Sequence, residues 1–599
     1  MATPASTIAA RLSALRAAMA QRQLDACVFL TADPHLSEYL PDHWQGRAWL
    51  SGFEGSAGTL VVTASQAALW TDSRYWEQAE GELAGTGIAV MRAGALDVPG
   101  PSAWAGETLV KGGRVCIDAR TLSLSAHRQW QNALRAHDIA LVTDQDVLAD
   151  VWRNRPALPC KPVYEHLPPH ACRTRAENLA GVRAGMREQG ADWHWLSSLD
   201  DIAWLFNLRG SDVSYNPVFL AHALIGADEA RLFVAPGKIG DALREQLGSE
   251  GVQVLDYEDA PGVLASLPEN SALLVDPDRC TASALAAAAY VRIIESLNPS
   301  QRLKSRKNTA EADNVRAVMA QDGAALCEFF AWLEANLGRE RITEISVDEQ
   351  ICAARARRPG FVTPSFGTIA AYNANGAMPH YHATPEAHAV IEGSGLLLID
   401  SGGQYLGGTT DITRVVPIGT PSEAQKRDYT YVLKGMIALS CAVFPRGTPA
   451  PMLDVLARNP IWQAGGEYGH GTGHGVGYFL NVHEGPQSIS YRAQVNPDMA
   501  FLPGMITSNE PGLYRPGRWG IRIENLVLTV PAMETEFGEF LRFETLTLCP
   551  IDTRCIDAAL LTQAECDWLN AYHAQVRERL APLVRGEALD WLHARTAAL

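Results

Sequence analysis

The chain has 599 residues, of which 47% are hydrophobic and 20% charged, which is the ordinary balance of a folded globular protein. Because this length exceeds what one hydrophobic core usually holds, several domains are expected. The formal net charge of −17 excludes a nucleic-acid-binding surface, which depends on clustered Lys and Arg, and no apolar run approaches the roughly 18 residues of a membrane span.

The first 24 residues form a basic amphipathic pattern without any acidic residue. Its apolar residues recur at helical spacing: Ile8, Leu12, Leu15 and Met19. We interpret this segment as the first helix of the N-terminal domain, and an organelle transit peptide is the alternative. The eleven cysteines contain no CxxC pair, which predicts reduced thiols in a cytoplasmic protein.

The first half of the chain contains an internal repeat. The segment WLSGFEGS from Trp49 and the segment WLFNLRGS from Trp204 align at an offset of 155 residues, and an apolar strand-like run follows each. We interpret them as two copies of one domain. A proline-rich stretch from Arg155 to Pro169 favours an extended linker between the copies, which predicts domains over residues 1–160 and 161–309.

Helical periodicity resumes after residue 309 and predicts a third domain over residues 310–540. Beyond it, Leu and Trp recur at three- and four-residue steps up to Leu599, which predicts a helical extension over residues 541–599. This extension either packs on its own chain or contacts a second copy, and the pattern alone leaves both open.

Two carboxylates accompany a predicted hairpin in the third domain. Apolar β-forming residues run up to Asp400, a glycine-rich turn follows, and Thr, Ile and Val resume around Asp411. This pattern predicts two strands whose connection presents both carboxylates.

Three further side chains follow in glycine- and strand-rich contexts. His474 lies in GHGTGHGVG, where the glycines leave room for the backbone and the imidazole to approach a ligand closely. Glu510 precedes a Pro-Gly pair, and the alternation after Gly520 places Arg522 and Glu524 on one strand face. Arg522 is therefore predicted to hold the Glu524 carboxylate by paired hydrogen bonds.

Four carboxylates and one imidazole suit a site for two divalent cations. Such a pair lowers the pKa of a shared water, so that hydroxide exists near neutral pH. The donor set contains no thiolate and is hard, which favours Mn²⁺, with Zn²⁺ or Co²⁺ as possible substitutes. The pattern predicts a two-metal hydrolase.

The same strings are similar to those of a known family. DSGGQY from Asp400, TTDITR around Asp411, GTGHGVG around His474, EPG from Glu510 and GIRIEN around Glu524 resemble the pita-bread metallopeptidases, and among them the long form of the Xaa-Pro aminopeptidases. The likeness extends to RAWLSGFEGSAGT near the N-terminus and to ECDWLNAYH near the C-terminus. The resemblance implies an α/β (α+β) chain with two creatinase-like domains, a pita-bread catalytic domain and a C-terminal helical extension.

The resemblance also implies a role for each ligand. Asp400 binds one metal, Asp411 and Glu524 bridge the two, and His474 and Glu510 bind the other. Glu510 also serves as general acid and base, passing a proton from the attacking water towards the leaving amine.

Further residues match positions of the family. The resemblance assigns His380 and His483 to substrate and transition-state hydrogen bonding, His470 to substrate binding, and Arg74 to a contact with the substrate cleft. The alternative for Arg74 is a surface ion pair. Six of the sixteen histidines lie between His380 and His483, which favours a functional cluster, and we assign no role to His382 and His388.

The sequence departs from many long-form relatives at one position, where Asn509 replaces an aspartate. This puts the charge near Glu510 in question, and with it the pH optimum.

The expected activity is release of the N-terminal residue from peptides with proline in second position, by a cytoplasmic homodimer with two Mn²⁺ per subunit. Two alternatives stay open: a prolidase-like dipeptidase, against which the duplicated N-terminal domain argues, and a non-catalytic peptide- or protein-binding member of the fold.

Overall fold

The computed structural model describes residues 3–599. Its contacts divide the chain into two units. One consists of the residues up to His166 together with Arg173–Leu303, and the other of Leu167–Cys172 together with Lys304–Leu599. Both expected copies of the repeat lie in the first unit, and the short segment Leu167–Cys172, at the end of the proline-rich stretch, groups with the expected third domain.

The first module is a six-stranded mixed sheet with helices on both faces. Its strands are β1 (Ala26–Leu30), β2 (Thr59–Thr63), β3 (Ala67–Thr71), β4 (Ala89–Arg92), β5 (Arg114–Ile117) and β6 (Ala140–Val142). Its helices are α1 (Ala5–Gln21), α2 (Gly46–Ser51), α3 (Trp76–Glu82), α4 (Pro101–Thr108), α5 (Leu124–Arg135) and α6 (Leu148–Val151). The strand order is β4-β3-β2-β1-β5-β6.

Helix α1 is the amphipathic helix expected from the sequence. Its apolar side chains Ile8, Leu12, Leu15 and Met19 are buried in the core on one face of the sheet, where Cys27 of β1 meets them. The neighbouring residues Ala26 and Val28 face the opposite core, as the two-residue period of a strand requires. In this structure α1 is an integral part of the first module.

The second module repeats the first. Its strands are β7 (Tyr164–Glu165), β8 (Trp193–Leu196), β9 (Leu208–Arg209), β10 (Ala221–Gly226), β11 (Ala230–Val234), β12 (Val252–Asp256), β13 (Ala272–Val275) and β14 (Arg292–Glu295). Its helices are α7 (Arg175–Gln189), α8 (Leu199–Leu205), α9 (Asp241–Ser249), α10 (Ala260–Ala265), α11 (Ala282–Ala287) and α12 (Pro299–Ser305). β7 and β9 pair as a separate ribbon.

The two main sheets have the same topology. The second has the order β12-β11-β10-β8-β13-β14, and in both sheets the central strand is antiparallel to one neighbour and parallel to the other. The two repeat segments also occupy corresponding positions in the fold, because Trp49 lies in α2 and Trp204 in α8, the helices that follow the central strands. The expected duplication is confirmed.

The part of the chain after residue 308, which comprises the third domain and the C-terminal extension, contains several small sheets and helices. Its helices are α13 (Thr309–Asn336), α14 (Glu344–Ala356), α15 (Glu423–Ser440), α16 (Asp454–Gln463), α17 (Gln563–Leu580) and α18 (Glu587–Arg595). Its strands are β15 (Phe361–Pro364), β16 (Ile369–Tyr372), β17 (Gly395–Ser401), β18 (Gly403–Tyr405), β19 (Gly408–Thr409), β20 (Ile412–Ile418), β21 (Val443–Pro445), β22 (Gly473–Gly475), β23 (Glu484–Ile489), β24 (Ile506–Asn509), β25 (Gly512–Arg515), β26 (Trp519–Arg522), β27 (Asn525–Thr535) and β28 (Gly538–Thr545).

Two sheets of this domain carry the expected ligands. One has the order β16-β17-β20 and the other the order β21-β28-β27-β24-β22-β23, and both are antiparallel. Helix α13 begins with a capping box between Asn308 and Glu311, which satisfies the backbone amides of these two residues.

The C-terminal helices pack on their own chain. Trp591 of α18 stacks on Phe330 of α13 with ring centroids 5.4 Å apart, and Leu569, Val576 and Leu580 of α17 are buried in the same core. Of the two arrangements left open by the sequence, packing on the same chain is therefore the one observed for this apolar face.

Among residues 3–599, no helix combines the length and the apolar character needed to cross a membrane.

Candidate metal centre

The two strands expected around Asp400 and Asp411 are present, but the short paired strands β18 and β19 connect them in place of the expected turn. β17 and β20 pair antiparallel, with Asp400 opposite Thr413, and Asp411 immediately precedes β20. Both carboxylates are buried. Gly402 stands between them at a point where a Cβ atom would lie 2.0 Å from the Thr410 carbonyl oxygen, so the glycine permits the close return of the chain.

Glycines also determine the position of His474. A Cβ atom on Gly473 would lie 1.9 Å from the Ser508 carbonyl oxygen, and one on Gly475 would lie 2.3 Å from that of Glu484. β22 therefore runs unusually close to its neighbours. His474 Nδ1 is 2.9 Å from the Gly475 carbonyl oxygen, so this nitrogen donates to the backbone and Nε2 is the ring nitrogen that faces the site.

His474 Nε2 faces two of the carboxylates. It lies 3.3 Å from Oε1 of Glu510 and 3.6 Å from Oδ2 of Asp411. Ser508 connects the strands that carry these groups, because its hydroxyl accepts from the amide of His474 at 2.9 Å and donates to Oε1 of Glu510 at 3.0 Å.

Glu524 approaches the same point from the connection between β26 and β27. Its Oε2 accepts a hydrogen bond of 2.8 Å from the Thr413 hydroxyl. One ligand atom each from Asp411, His474 and Glu524 lie within 4.8 Å of one another. Residues separated by more than 100 positions in the chain therefore converge on one point.

Arg522 contacts a different carboxylate from the one expected. Its Nη2 donates to Oδ2 of Asp400 at 2.5 Å, and its Nε donates to the Thr413 hydroxyl at 3.1 Å. The predicted paired hydrogen bonds to Glu524 are wrong. β26 ends at Arg522, so the strand alternation on which the prediction rested does not extend to Glu524.

The carboxyl groups are crowded in a buried environment. Burial, together with the neighbouring carboxylate of Glu510, raises the pKa of Asp400 against the opposing charge of Arg522. Burial and the other carboxylates raise the pKa of Asp411 and of Glu524 well above their usual range. The site therefore contains more negative charge than its own basic groups compensate, which favours occupation by cations.

Glu510 and His474 behave as an ion pair. Burial opposes the charge on Glu510, but the hydrogen bond from His474 and the neighbouring positive charges together outweigh burial and lower the pKa of Glu510 to about 2. Burial likewise opposes the charge on His474, and the same contact with Glu510 raises the pKa of His474 to about 9.

The donor set fits divalent cations. Among the described residues, Oδ1 of Asp400 and Oε1 of Glu524 are buried oxygens without a hydrogen-bond partner. Buried carboxylate oxygens are costly unless they are paired or coordinate a metal; Glu524 belongs to the cluster with Asp411 and His474, and the charge of Asp400 acts on Asp411. Carboxylate oxygens and one imidazole form a predominantly hard ligand set.

The other histidines lie in different settings. His483 packs edge-on against His474 with ring centroids 4.3 Å apart. Nε2 of His470 accepts from the Tyr514 hydroxyl at 2.8 Å, while its Nδ1 faces the Gly471 carbonyl at 2.7 Å. His382 is exposed, and His388 bonds the Thr384 carbonyl of its own loop.

Tyr514 is a site residue that sequence reasoning missed. Its hydroxyl donates to His470 and accepts from Nη1 of Arg522 at 2.6 Å, so a chain of hydrogen bonds runs from Asp400 through Arg522 and Tyr514 to His470. Burial lowers the pKa of His470 to about 4, which keeps the imidazole neutral and its Nε2 an acceptor. The only sequence signal was the nearness of Tyr514 to Glu510.

Known protein families match both N-terminal modules, the third domain and the C-terminal extension. The C-terminal part matches the metallopeptidase family M24 over residues 313–531 and the C-terminal region of that family over residues 539–599. The creatinase/prolidase N-terminal domain matches twice, over residues 11–151 and 154–311.

Relatives that match over nearly the whole chain show to which enzymes of family M24 it is related. The chain is 39% identical to Aminopeptidase P2 of Arabidopsis thaliana, over 96% of this chain and 86% of the relative. It is also 39% identical to a probable Xaa-Pro aminopeptidase P of Sordaria macrospora, over 98% of each. This chain belongs to the Xaa-Pro aminopeptidase P family.

A solved structure agrees over the whole length. The X-prolyl aminopeptidase of Caenorhabditis elegans, described as a cytosolic enzyme with a di-nuclear active site, is 31% identical with a TM-score of 0.93, covering 99% of this chain and all of that one. Dipeptidase PepE of Mycobacterium ulcerans, 26% identical with a TM-score of 0.50, covers 63% of this chain and 96% of its own. This member of the family is a hydrolase with creatinase-like and pita-bread domains, as the resemblance implied.

Asn509 has a structural explanation in this family member. Its Nδ2 donates to the Met436 carbonyl at 2.9 Å and to the Ser440 hydroxyl at 3.0 Å, both on α15. A carboxylate has no proton to donate to the carbonyl. The neutral amide therefore suits this environment, and it leaves no added charge beside Glu510.

Arg74 lies in the first unit and forms a two-point ion pair with Asp72. The two nitrogen-oxygen distances are both 2.7 Å. This is the surface ion pair that the sequence left as the alternative, and the expected contact of Arg74 with a peptide stays a prediction.

Proposed function

We propose that this chain is a metallo-aminopeptidase that releases the N-terminal residue from peptides with proline in second position. The observation that carries the proposal is the convergence of Asp411, His474 and Glu524 in a chain that is related over its full length to Xaa-Pro aminopeptidases. Asp400 and Glu510, on the flanks of this cluster, complete a ligand set for two cations.

The bound cations would supply a nucleophilic hydroxide and polarise the scissile carbonyl. Asp400 would bind one cation, Asp411 and Glu524 would bridge, and His474 and Glu510 would bind the other. Glu510 would also take up a proton from the attacking water and return it to the leaving amine, with its Oε1 positioned by Ser508. His380, His470 and His483 would bind the peptide, with His380 and His483 also serving the transition state.

The chemistry of proline explains why such an enzyme is needed. An X-Pro bond has no amide hydrogen and a fixed ring, so a peptidase that hydrogen-bonds that amide cannot process it. The repeated N-terminal module supports an aminopeptidase over a dipeptidase, because the relatives that match this chain over its full length are named as aminopeptidases.

We also propose Mn²⁺ as the native metal, on the hardness of the ligand set, with Zn²⁺ or Co²⁺ as substitutes. Metal analysis of protein purified from its own cells tests this identity. Manganese at two per subunit is the expected result, and two zinc or cobalt ions would contradict it.

The proposed assembly is a cytoplasmic homodimer. All eleven cysteines are free thiols, which agrees with a reducing compartment. Exposed apolar side chains cluster on and beside α16, among them Met452, Val455, Trp462 and Tyr491, and they offer a surface for a second copy. Sedimentation of the wild type and of Val455→Lys tests this: a dimer that the charge weakens is expected, and a wild-type monomer contradicts it.

One assay tests the activity. Metal-stripped protein is incubated with an Arg-Pro-Pro tripeptide and an Arg-Pro dipeptide before and after addition of Mn²⁺. Cleavage of the tripeptide after its first residue, abolished by Glu510→Gln, is expected. Activity confined to the dipeptide would indicate a prolidase, and inactivity on both despite bound metal would indicate a binding protein.

A further inference from the structure

The loop over residues 373–388 carries His380 and is organised by one buried carboxylate. Oε1 of Glu344 accepts from the backbone amide of Tyr372 at 2.7 Å, just before the loop, and Oε2 accepts from the amide of Ala389 at 2.6 Å, just after it. The Asn375 side chain donates to both oxygens, at 2.9 and 3.1 Å. One side chain therefore joins both ends of the loop.

Glu344 is a charged group in an unusual position. Its side chain is 0% exposed, and its two oxygens bind two backbone amides, the Asn375 side chain and the Tyr381 hydroxyl, none of which is basic. Its negative charge is balanced by hydrogen-bond donors and by its place at the first position of α14, where the helix dipole favours an anion. A buried carboxylate satisfied in this way makes its surroundings rigid.

The fourth donor lies beside His380. The hydroxyl of Tyr381 donates to Oε2 of Glu344 at 2.9 Å. His380 and Pro379 form the centre of a tight turn, which is closed by a hydrogen bond of 3.1 Å from the Tyr381 amide to the Met378 carbonyl.

The other side of this turn is joined to the metal centre. The Pro379 carbonyl accepts from Nη2 of Arg522 at 3.3 Å, and the same nitrogen donates to Asp400. The loop also lies directly on β26, because a Cβ atom on Gly376 would be 3.2 Å from the amide nitrogen of Gly520. The backbone of His380 is thus held from Arg522 on one side and from Glu344 on the other.

We propose that Glu344 is a positioning residue for His380, acting through Tyr381 and the two ends of the loop. The proposal rests on the proposed function, in which His380 binds the peptide. The four groups that bind the Glu344 oxygens all donate, so two acceptor oxygens are needed. A glutamine would supply one oxygen and turn an NH₂ group towards these donors.

A double-mutant cycle tests the proposal on full-length enzyme loaded with Mn²⁺. kcat and KM for Arg-Pro-Pro are measured for the wild type, Glu344→Gln, His380→Ala and the double variant. If Glu344 acts through His380, Glu344→Gln lowers kcat by about 10- to 100-fold in the wild type, and by less than about 2-fold where His380 is already absent. Metal content should stay at the wild-type value.

Two results would overturn the proposal. One is an equal loss of kcat from Glu344→Gln with and without His380, which would make Glu344 a general stabiliser. The other is a Glu344→Gln enzyme as active as the wild type. Glu565→Gln is the matched control, because Glu565 also lies in the first turn of a helix and accepts from Thr562, and it should leave kcat unchanged.

A second measurement does not depend on activity. Amide hydrogen exchange over residues 372–389 should become faster in Glu344→Gln. It should also become faster in Tyr381→Phe, by a smaller factor, because this change removes a single donor. Tyr381→Phe is the variant to use if Glu344→Gln does not fold. Unchanged exchange in both would overturn the proposal. A metal-loaded wild type that cleaves no X-Pro peptide would instead overturn the proposed function, and exchange would still decide whether Glu344 holds the turn.

Discussion

At the residue scale, the hydroxyl of Tyr514 is the group on which two functional side chains depend. It accepts from Arg522 and donates to His470. Tyr514→Phe leaves a buried guanidinium N–H without its acceptor and frees the His470 ring, so kcat/KM should fall by about 10-fold or more. The free energy of unfolding should also fall, by about 1–3 kcal/mol. Metal content should not change. Tyr491→Phe, at a half-exposed ring, is the control, and equal kinetics for the two variants would contradict the prediction.

Asn509 allows a second prediction at this scale. In Asn509→Asp a buried carboxylate replaces the amide that donates to Met436 and Ser440. The lost donor and the buried charge should lower the free energy of unfolding by about 1–3 kcal/mol, measured by urea denaturation at neutral pH. Asn496→Asp is the matched control, because the Asn496 oxygen only accepts from the Asp498 amide, which a carboxylate does equally well. Similar stability of both variants would show that the Asn509 amide is dispensable.

The residue scale also shows what local sequence can and cannot indicate. The glycines around His474 and Asp400 predicted that the backbone approaches its neighbours closely. The structure gives the reason, because a Cβ atom at Gly402, Gly473 or Gly475 would collide with a backbone carbonyl oxygen. The partner of Arg522 was not predictable, since it depends on where β26 ends and on a contact with β17, more than 100 residues earlier. Local alternation carries no information on such contacts.

At the element scale, the segment between β22 and β23 is held by a buried charge cluster. Lys307 Nζ donates to the Val476 carbonyl and to Oε1 of Glu484, each at 2.5 Å, and Lys304 binds the second oxygen of Glu484 at 3.2 Å. These contacts join both ends of the segment that carries His483.

Removing one member of this cluster should be costly. Lys307→Met leaves the fully buried Glu484 with a single basic partner, so the free energy of unfolding should fall by about 3 kcal/mol. The change is measured as a shift of the urea midpoint, and the exchange of amides over residues 476–484 should increase. A variant as stable as the wild type would show that this pair contributes nothing.

Elements were easier to predict than their partners. The strands β17 and β20 and the helices α1 and α13 follow from hydrophobic period and turn residues. The apolar face of the C-terminal helices was equally visible, but its partner was not. A helical stripe shows that a face is buried, and only the tertiary structure shows that α13 covers it.

At the scale of the whole molecule, the duplication was recognisable from the sequence because the two short repeat segments lie at the same place in each module. The two sheets share an order of six strands, although the chain between corresponding strands differs in length. The division into units was less predictable. The proline-rich stretch marks the sequence boundary between the copies, yet both copies form one unit.

The first unit should respond to acid through its buried histidines. His35 and His222 pack with ring centroids 4.6 Å apart, and burial lowers the pKa of both. His194 lies on β8 with Nδ1 3.0 Å from the Leu274 carbonyl, and burial lowers its pKa to about 4. All three are therefore neutral in the folded protein at neutral pH.

The sign of the effect follows from proton binding. An unfolded chain protonates histidine near its usual pKa of about 6.5, whereas the folded chain does not protonate His194 until about pH 4. Between these values the unfolded state binds more protons, so stability is intact above about pH 6.5 and is lost as the pH falls towards 4. For His194 alone the loss is about 2 kcal/mol at pH 5.

The variant His194→Asn isolates this contribution, because its amide nitrogen can replace Nδ1 as the donor to Leu274 without a titrating group. Urea unfolding of full-length protein at pH 7.5, 6 and 5 should show a shallower pH dependence for His194→Asn than for the wild type, with the difference reaching about 2 kcal/mol at pH 5. His593→Asn, at an exposed position, should keep the wild-type dependence. Parallel curves for all three proteins would mean that acid acts on this enzyme through other groups, and the carboxylates of the metal centre would then be the first to test.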